Sequence, residues 1–105
     1  MDIKRLARIM KALSHPNRLE IFMTLLHEHE AQFENDAKCG CDCLISEIAQ
    51  KLSIGAPTIS HHLKELTDTG LITTDRQGKF LVARINEETV QAMKAAFAHV
   101  PAQPA

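Results

Sequence analysis

Three cysteines at every second position, Cys39, Cys41 and Cys43, are the residues of this chain most suited to soft-acceptor chemistry. Thiolates are the ligands that soft metals and metalloids select. On a helix, residues 39 and 43 would share a face while 41 pointed nearly opposite, so one ion could not take all three. In an extended segment every second side chain projects to the same side, with those Cα atoms roughly 6 to 7 Å apart, and Gly40 permits the curl that brings three sulfurs together. A three-sulfur pocket suits a trigonal pyramidal ion with a lone pair, arsenite or antimonite, better than zinc, which takes four ligands in a tetrahedron. His27, His29 or a residue of a second subunit would have to complete a zinc site, and cadmium and lead are further alternatives. The same thiols support a second chemistry, in which two of them form a disulfide or polysulfide bridge and no ion is bound.

A second constellation follows directly on the first. Ile59, His62, Leu63 and Leu66 recur at i, i+3, i+4 and i+7, which gathers them on one buried stripe of a helix. Thr58, Ser60, His61 and Lys64 are left on the opposite side. Short hydroxyls, an imidazole and an ammonium can donate to phosphates and base edges with no bulky apolar obstacle, the chemistry of a groove-reading face. His62, on the apolar stripe, reads as a core histidine. Arg76 and Lys79 flank a glycine in Asp75-Arg76-Gln77-Gly78-Lys79 and are expected at an exposed hairpin tip, placed for backbone or minor-groove contact.

The elements that position these residues are legible from periodicity and punctuation. Leu44, Ile45, Ile48, Ala49 and Leu52 keep helical spacing, Ser53-Ile54-Gly55 breaks it, and Pro57 fits the first turn of a second helix, so 44–69 reads as helix-turn-helix. Gly70 closes the second helix. Leu71 to Thr74 and Phe80 to Ile85 read as the strands of a wing over 71–85. The predicted fold is mainly α with a small β-hairpin, a winged helix-turn-helix occupying residues 1–105 as one domain. Asp2 to Leu13, a helix starting near Pro16, and Glu87 to Val100 complete it, and the terminal helices are the natural surface for a homodimer. Residues 28–43 carry polar residues and glycine without helical apolar spacing and read as a cysteine-bearing loop; 101–105 reads as a frayed tail.

Composition bounds the function. The net charge is −1 over 105 residues, but its distribution matters more than its sum. Residues 1–20 hold five basic side chains against two acidic, 21–43 one against five, and 54–85 four against three. A DNA-facing surface therefore fits the amino terminus and the reading unit, with the acid beside the cysteines. Three cysteines clustered within five residues, with no apolar signal segment and no long apolar run, predict a cytoplasmic protein with reduced thiols and no membrane partner. No nucleophile-base pair or phosphate-binding glycine loop is present, so an enzyme is not expected.

The chain resembles the ArsR/SmtB family of winged-helix metal-responsive repressors over nearly its whole length. Three stretches carry the resemblance: Lys11-Ala-Leu-Ser-His-Pro-Asn-Arg-Leu-Glu-Ile, Ile59-Ser-His-His-Leu-Lys-Glu-Leu, and Thr69-Gly-Leu-Ile with the Arg-Gln-Gly-Lys wing that follows. It implies a homodimer with terminal helices at the interface, bound as a transcriptional repressor to double-stranded operator DNA with inverted-repeat symmetry. It also implies release when an inducer binds. The departures are specific. Arsenic-sensing members often carry a Cys-Val-Cys pair in the first turn of the helix before the recognition helix, and those positions are Leu44 and Ser46 here. The cysteines of this chain lie one to five residues upstream, a shifted variant. The last helix lacks the Asp-x-His and paired downstream ligands of zinc sensors; His99 alone is a poor zinc site.

Overall fold

The computed structural model describes the backbone of residues 1–34 and 43–98, and the side chains of 1–29 and 45–98. In chain order the elements are α1 (Ile3–Leu13), α2 (Pro16–Glu34), β1 (Cys43–Leu44), α3 (Ile45–Leu52), α4 (Ala56–Asp68), β2 (Ile72–Gln77), β3 (Phe80–Ile85) and α5 (Glu87–Ala98). The strands form one antiparallel sheet in the order β1-β3-β2. This is a winged helix-turn-helix, with one short strand more than the sequence predicts.

Local chemistry sets the element ends. Asp2 caps α1 by accepting from the Arg5 N–H at 2.7 Å, leaving one fewer orphan donor in the first turn. The Ser14 hydroxyl donates to the Lys11 carbonyl at 2.7 Å, and Pro16 opens α2 where its missing N–H costs nothing. Between α3 and α4, the Ile54 N–H donates to the Ala49 carbonyl at 2.9 Å and the Ser53 N–H to that of Gln50 at 3.2 Å. That closure places Ser53 at φ 56°, the left-handed region in which side chains other than glycine are strained by roughly 1 to 2 kcal/mol. Ser53→Gly is therefore expected to raise unfolding stability by about 0.5 to 1 kcal/mol once the chain entropy of glycine is offset. The corresponding rise in thermal midpoint is roughly 2 to 8 °C; an unchanged or lower midpoint would contradict the assignment.

Ile59, Leu63 and Leu66 of α4 bury one face of the helix against Ile21, Phe22 and Leu25 of α2, Ile45 and Ile48 of α3, and Leu71, Ile72, Ala83 and Ile85 of the wing. Leu66, Leu71 and Ile72 are fully buried, each contributing about 1.5 to 3 kcal/mol by leaving water. The reading helix is thereby fixed to both the amino-terminal helices and the sheet. Ile3, Met10, Leu19, Met23 and Phe97, on α1, α2 and α5, remain exposed.

Three expectations are corrected. The loop expected over 28–43 begins later, because α2 continues to Glu34: Glu30-Ala31-Gln32 are strong helix formers, and propensity carries the helix past the point where apolar spacing stops. At the other end of that segment, Cys43 and Leu44 form β1, and α3 starts at Ile45 rather than Leu44. The wing turn is also tighter. β2 runs to Gln77, which pairs with Phe80, leaving Gly78 and Lys79 as a two-residue connection. Gly78 has φ +65°, the sense a primed hairpin turn requires at its first central residue. Residues 35–42, which include Cys39 and Cys41, and residues 99–105 lie outside the described residues.

Candidate nucleic-acid interface and inducer site

α4 presents Thr58, Ser60, His61 and Lys64 to solvent on the face opposite Ile59, Leu63 and Leu66. Its amino end is capped by Gly55, which offers no side-chain hydrogen bond, with Pro57 in the first turn. Backbone donors there are left for water or an anion. Lys64 reaches Asp68 at 3.2 Å, both side chains largely exposed. Such i,i+4 pairs are worth only about 0.3 to 0.5 kcal/mol, so the ammonium can exchange its carboxylate for a phosphate at little cost.

Two features stand beside the core where α4 packs on the amino-terminal helices. Arg18 faces Glu65 at 3.7 Å. His62 is buried at 4% exposure, its ring 4.6 Å from that of His15 and 6.1 Å from that of His61, and neither of its nitrogens has a hydrogen-bond partner among the described residues. Burial, followed by the positive charges of His15, Arg18 and His61, pushes the His62 pKa below the ordinary histidine value. The expected core histidine is thus in the core, but without the partners that usually satisfy one.

The sign of the pH dependence follows. A histidine whose folded pKa is depressed binds fewer protons folded than unfolded, so stability is full above the unfolded value near 6.5 and declines as pH falls through the folded value. His62→Phe is expected to flatten the loss of stability below about pH 6.5, read as urea midpoints across pH 7.5 to 5. Equal pH slopes for the variant and the parent protein would contradict the role of His62.

The wing carries Arg76 and Lys79, both exposed. Lys79 sits at the tip, its ammonium 5.7 Å above the Phe80 ring. Arg76 is not at the tip as the sequence suggests: it lies within β2 opposite Leu81, because the turn takes only two residues. Its backbone N–H donates to the Asp75 carboxylate at 2.9 Å. Phe80, 48% exposed, brings an aromatic ring to the wing tip, a position that strand periodicity alone does not single out.

Cys43 is placed by its backbone. It opens β1 opposite Ala83 of β3, and Leu44 pairs with Val82, so the last residue of the cysteine cluster is hydrogen-bonded into the wing and lies two residues from the start of α3. His29, a candidate fourth ligand for zinc, is engaged elsewhere, with its Nε2 against Glu87 of α5. Gln91 donates to the other Glu87 oxygen at 2.7 Å; that hydrogen bond first, and His29 second, hold the Glu87 carboxyl below its ordinary pKa against a burial effect that raises it. Among the described residues no group of three His, Cys, Asp or Glu side chains could hold a metal ion.

The family model for bacterial regulatory proteins of the arsR family matches residues 39–74, from the first cysteine through α3 and α4 into β2. An arsenical resistance operon repressor of Staphylococcus xylosus is 38% identical over 88 residues, which are 84% of this chain and 72% of that protein. The cadmium resistance transcriptional regulatory protein CadC of Listeria innocua is 32% identical over 80 residues, 76% of this chain and 57% of its own length. Among solved structures, the transcriptional repressor BigR from Xylella fastidiosa superposes with a TM-score of 0.63 at 29% identity, covering 95% of this chain and 90% of that one. Shared identity across most of two whole chains, on a helix-turn-helix and wing, establishes that the chain belongs to the arsR family of bacterial regulatory proteins, DNA-binding transcriptional regulators rather than enzymes.

Proposed function

We propose that the chain is a homodimeric repressor that binds an inverted-repeat operator and leaves it when arsenite or antimonite is taken by Cys39, Cys41 and Cys43. Thr58, Ser60, His61 and Lys64 read the major groove, and Arg76 and Lys79 contact the flanking backbone or minor groove. A single short recognition helix covers too few base pairs for useful specificity, whereas two about 34 Å apart read successive major grooves. The exposed Ile3, Met10, Leu19, Met23 and Phe97 on α1, α2 and α5 supply apolar area for the second subunit.

The observation that carries the mechanism is the pairing of Cys43 with Ala83. Three sulfurs drawn onto one ion shift the backbone at Cys43, and that residue is tied both to the wing through β3 and to α3, which starts at Ile45 and supports α4. Both parts of the DNA-reading surface therefore move together. The donor set fits the ligand: three soft thiolates satisfy a trigonal ion with no further protein ligand, and the 38% identical relative is named an arsenical resistance operon repressor.

A second reading takes cadmium, lead or zinc at the same thiols, supported by the cadmium-resistance relative. A third makes the thiols a redox or reactive-sulfur switch with no ion bound. The readings separate in one assay, the reduced protein on fluorescently labelled operator titrated in parallel with arsenite, antimonite, cadmium, zinc and an oxidant. Release at the lowest concentration by arsenite or antimonite supports the proposal; release by oxidant alone, or by cadmium alone, replaces it. No helix among the described residues is long and apolar enough to cross a membrane, and the cytoplasm, where thiols stay reduced, is the compartment such a sensor requires.

A further inference from the structure

Resting on the DNA-reading role proposed above, we propose that the basic cleft between α1 and α4 is a separate DNA contact, in which Arg8 and Lys11 grip backbone phosphates flanking the groove that α4 reads. The cleft, about 740 Å³, is lined by Arg5, Arg8 and Lys11 of α1, Arg18 of α2, and His61, Glu65 and Asp68 of α4. His61 belongs to the outward face of the recognition helix, so the cleft opens directly from the reading surface.

Its charges are already sorted. Glu65 faces Arg18 at 3.7 Å and Asp68 faces Lys64 at 3.2 Å, while Arg5 donates to the Thr89 hydroxyl at 3.4 Å. Arg8 and Lys11 are exposed and have no carboxylate partner among the described residues. They are not needed to cap the carboxyl end of α4, which also lines the cleft. There the Thr67 and Thr69 hydroxyls donate to the carbonyls of Leu63 and Leu66 at 2.6 and 2.7 Å, and the Gly70 N–H to that of Thr67 at 2.9 Å.

Geometry keeps the pair open in a dimer. At 3.6 residues per turn, Arg8 and Lys11 lie about one turn apart along α1; Arg8 stands roughly 140° to 160° and Lys11 roughly 80° to 100° around the helix from Ile3 and Met10, the exposed apolar residues a second subunit would cover. Two unpaired cations in a concave surface continuous with the reading helix match a polyanion, and phosphate contacts of this kind fix register without reading sequence.

The test compares the full-length protein with Arg8→Gln/Lys11→Gln on labelled operator and on a scrambled duplex, by anisotropy between 50 and 300 mM salt. Each phosphate contact contributes about 0.9 to the log-log salt slope, so removing both cations from an engaged subunit flattens it by roughly 1.8 and weakens binding about 30-fold at 0.15 M salt. The weakening is expected to be equal on both duplexes, leaving the operator-to-scrambled ratio unchanged. Arg8→Gln and Lys11→Gln alone, each at an exposed position, are expected to give about half the slope change, which separates the removal of a phosphate contact from misfolding of the double variant. An unchanged salt slope in all three variants overturns the inference while leaving the reading helix intact. A parent protein that binds the two duplexes equally overturns the DNA-reading role itself, before any variant is compared.

Discussion

Serine at Cys39, Cys41 or Cys43 is expected to leave operator affinity close to that of the parent protein while abolishing release by arsenite. The two effects separate because none of the three residues lies on the exposed face of α4 or at the wing tip, whereas all three sulfurs are required to complete a trigonal site. Coupling of about 1 to 3 kcal/mol between inducer and operator corresponds to a 5- to 150-fold loss of DNA affinity on induction, and each serine variant should forfeit that whole factor. Operator anisotropy with and without arsenite measures it. If all three variants release DNA at the arsenite concentration that releases the parent, the cluster is not the sensor. Cys43→Ser is the most informative of the three, because the β1 pairing with Ala83 uses only backbone atoms: the strand persists when the sulfur is gone, so lost induction reports lost ligation and not a lost strand.

Ser60→Ala with His61→Ala is expected to produce the opposite pattern. One good base-edge contact is worth roughly 1 to 3 kcal/mol in discrimination, about 5- to 150-fold, so the double variant should lose at least that factor of its preference for operator over scrambled DNA. Its arsenite binding should be unchanged. Both side chains are exposed, so thermal stability at neutral pH should hold within about 0.5 kcal/mol. Preserved discrimination in the double variant would remove α4 from the reading role. His61 also lines the cleft beside α1, so a small uniform weakening on both duplexes is expected in addition, distinguishable because it does not change their ratio.

The recognition helix is legible in the sequence because its period is strong. Ile59, His62, Leu63 and Leu66 repeat at helical spacing, and all four are buried, which leaves Thr58, Ser60, His61 and Lys64 outward. The helix-turn-helix boundary is equally readable from Gly55 and Pro57. What local pattern does not supply is the pairing of distant parts of the chain. β1 is two residues long, and the strand it pairs with, β3, lies about forty residues later; nothing in Cys43-Leu44 itself marks a strand. The packing of His15 against His62 brings the turn between α1 and α2 against α4 and has no signature at either position.

Two further differences have local causes. Glu30 to Glu34 lacks apolar spacing but contains no glycine or proline, so helix propensity extends α2 where periodicity predicts a loop. In the wing, the charged run Asp75 to Lys79 resembles a long turn, yet Gly78 alone supplies the positive φ, and the two-residue connection draws Arg76 into β2. The basic excess near the amino terminus can be counted from sequence, but its assembly into a cleft beside α4 depends on how α1 packs.

The proposed switch depends on one ion gathering three sulfurs, and X-ray absorption at the arsenic edge of the reduced, arsenite-loaded protein measures that. One arsenic per subunit with three sulfur neighbours and no bound oxygen is the result expected, reverting to fewer sulfurs in each serine variant. An arsenic with two sulfur neighbours and a retained oxygen in the parent protein, or no stoichiometric arsenic at all, would contradict it.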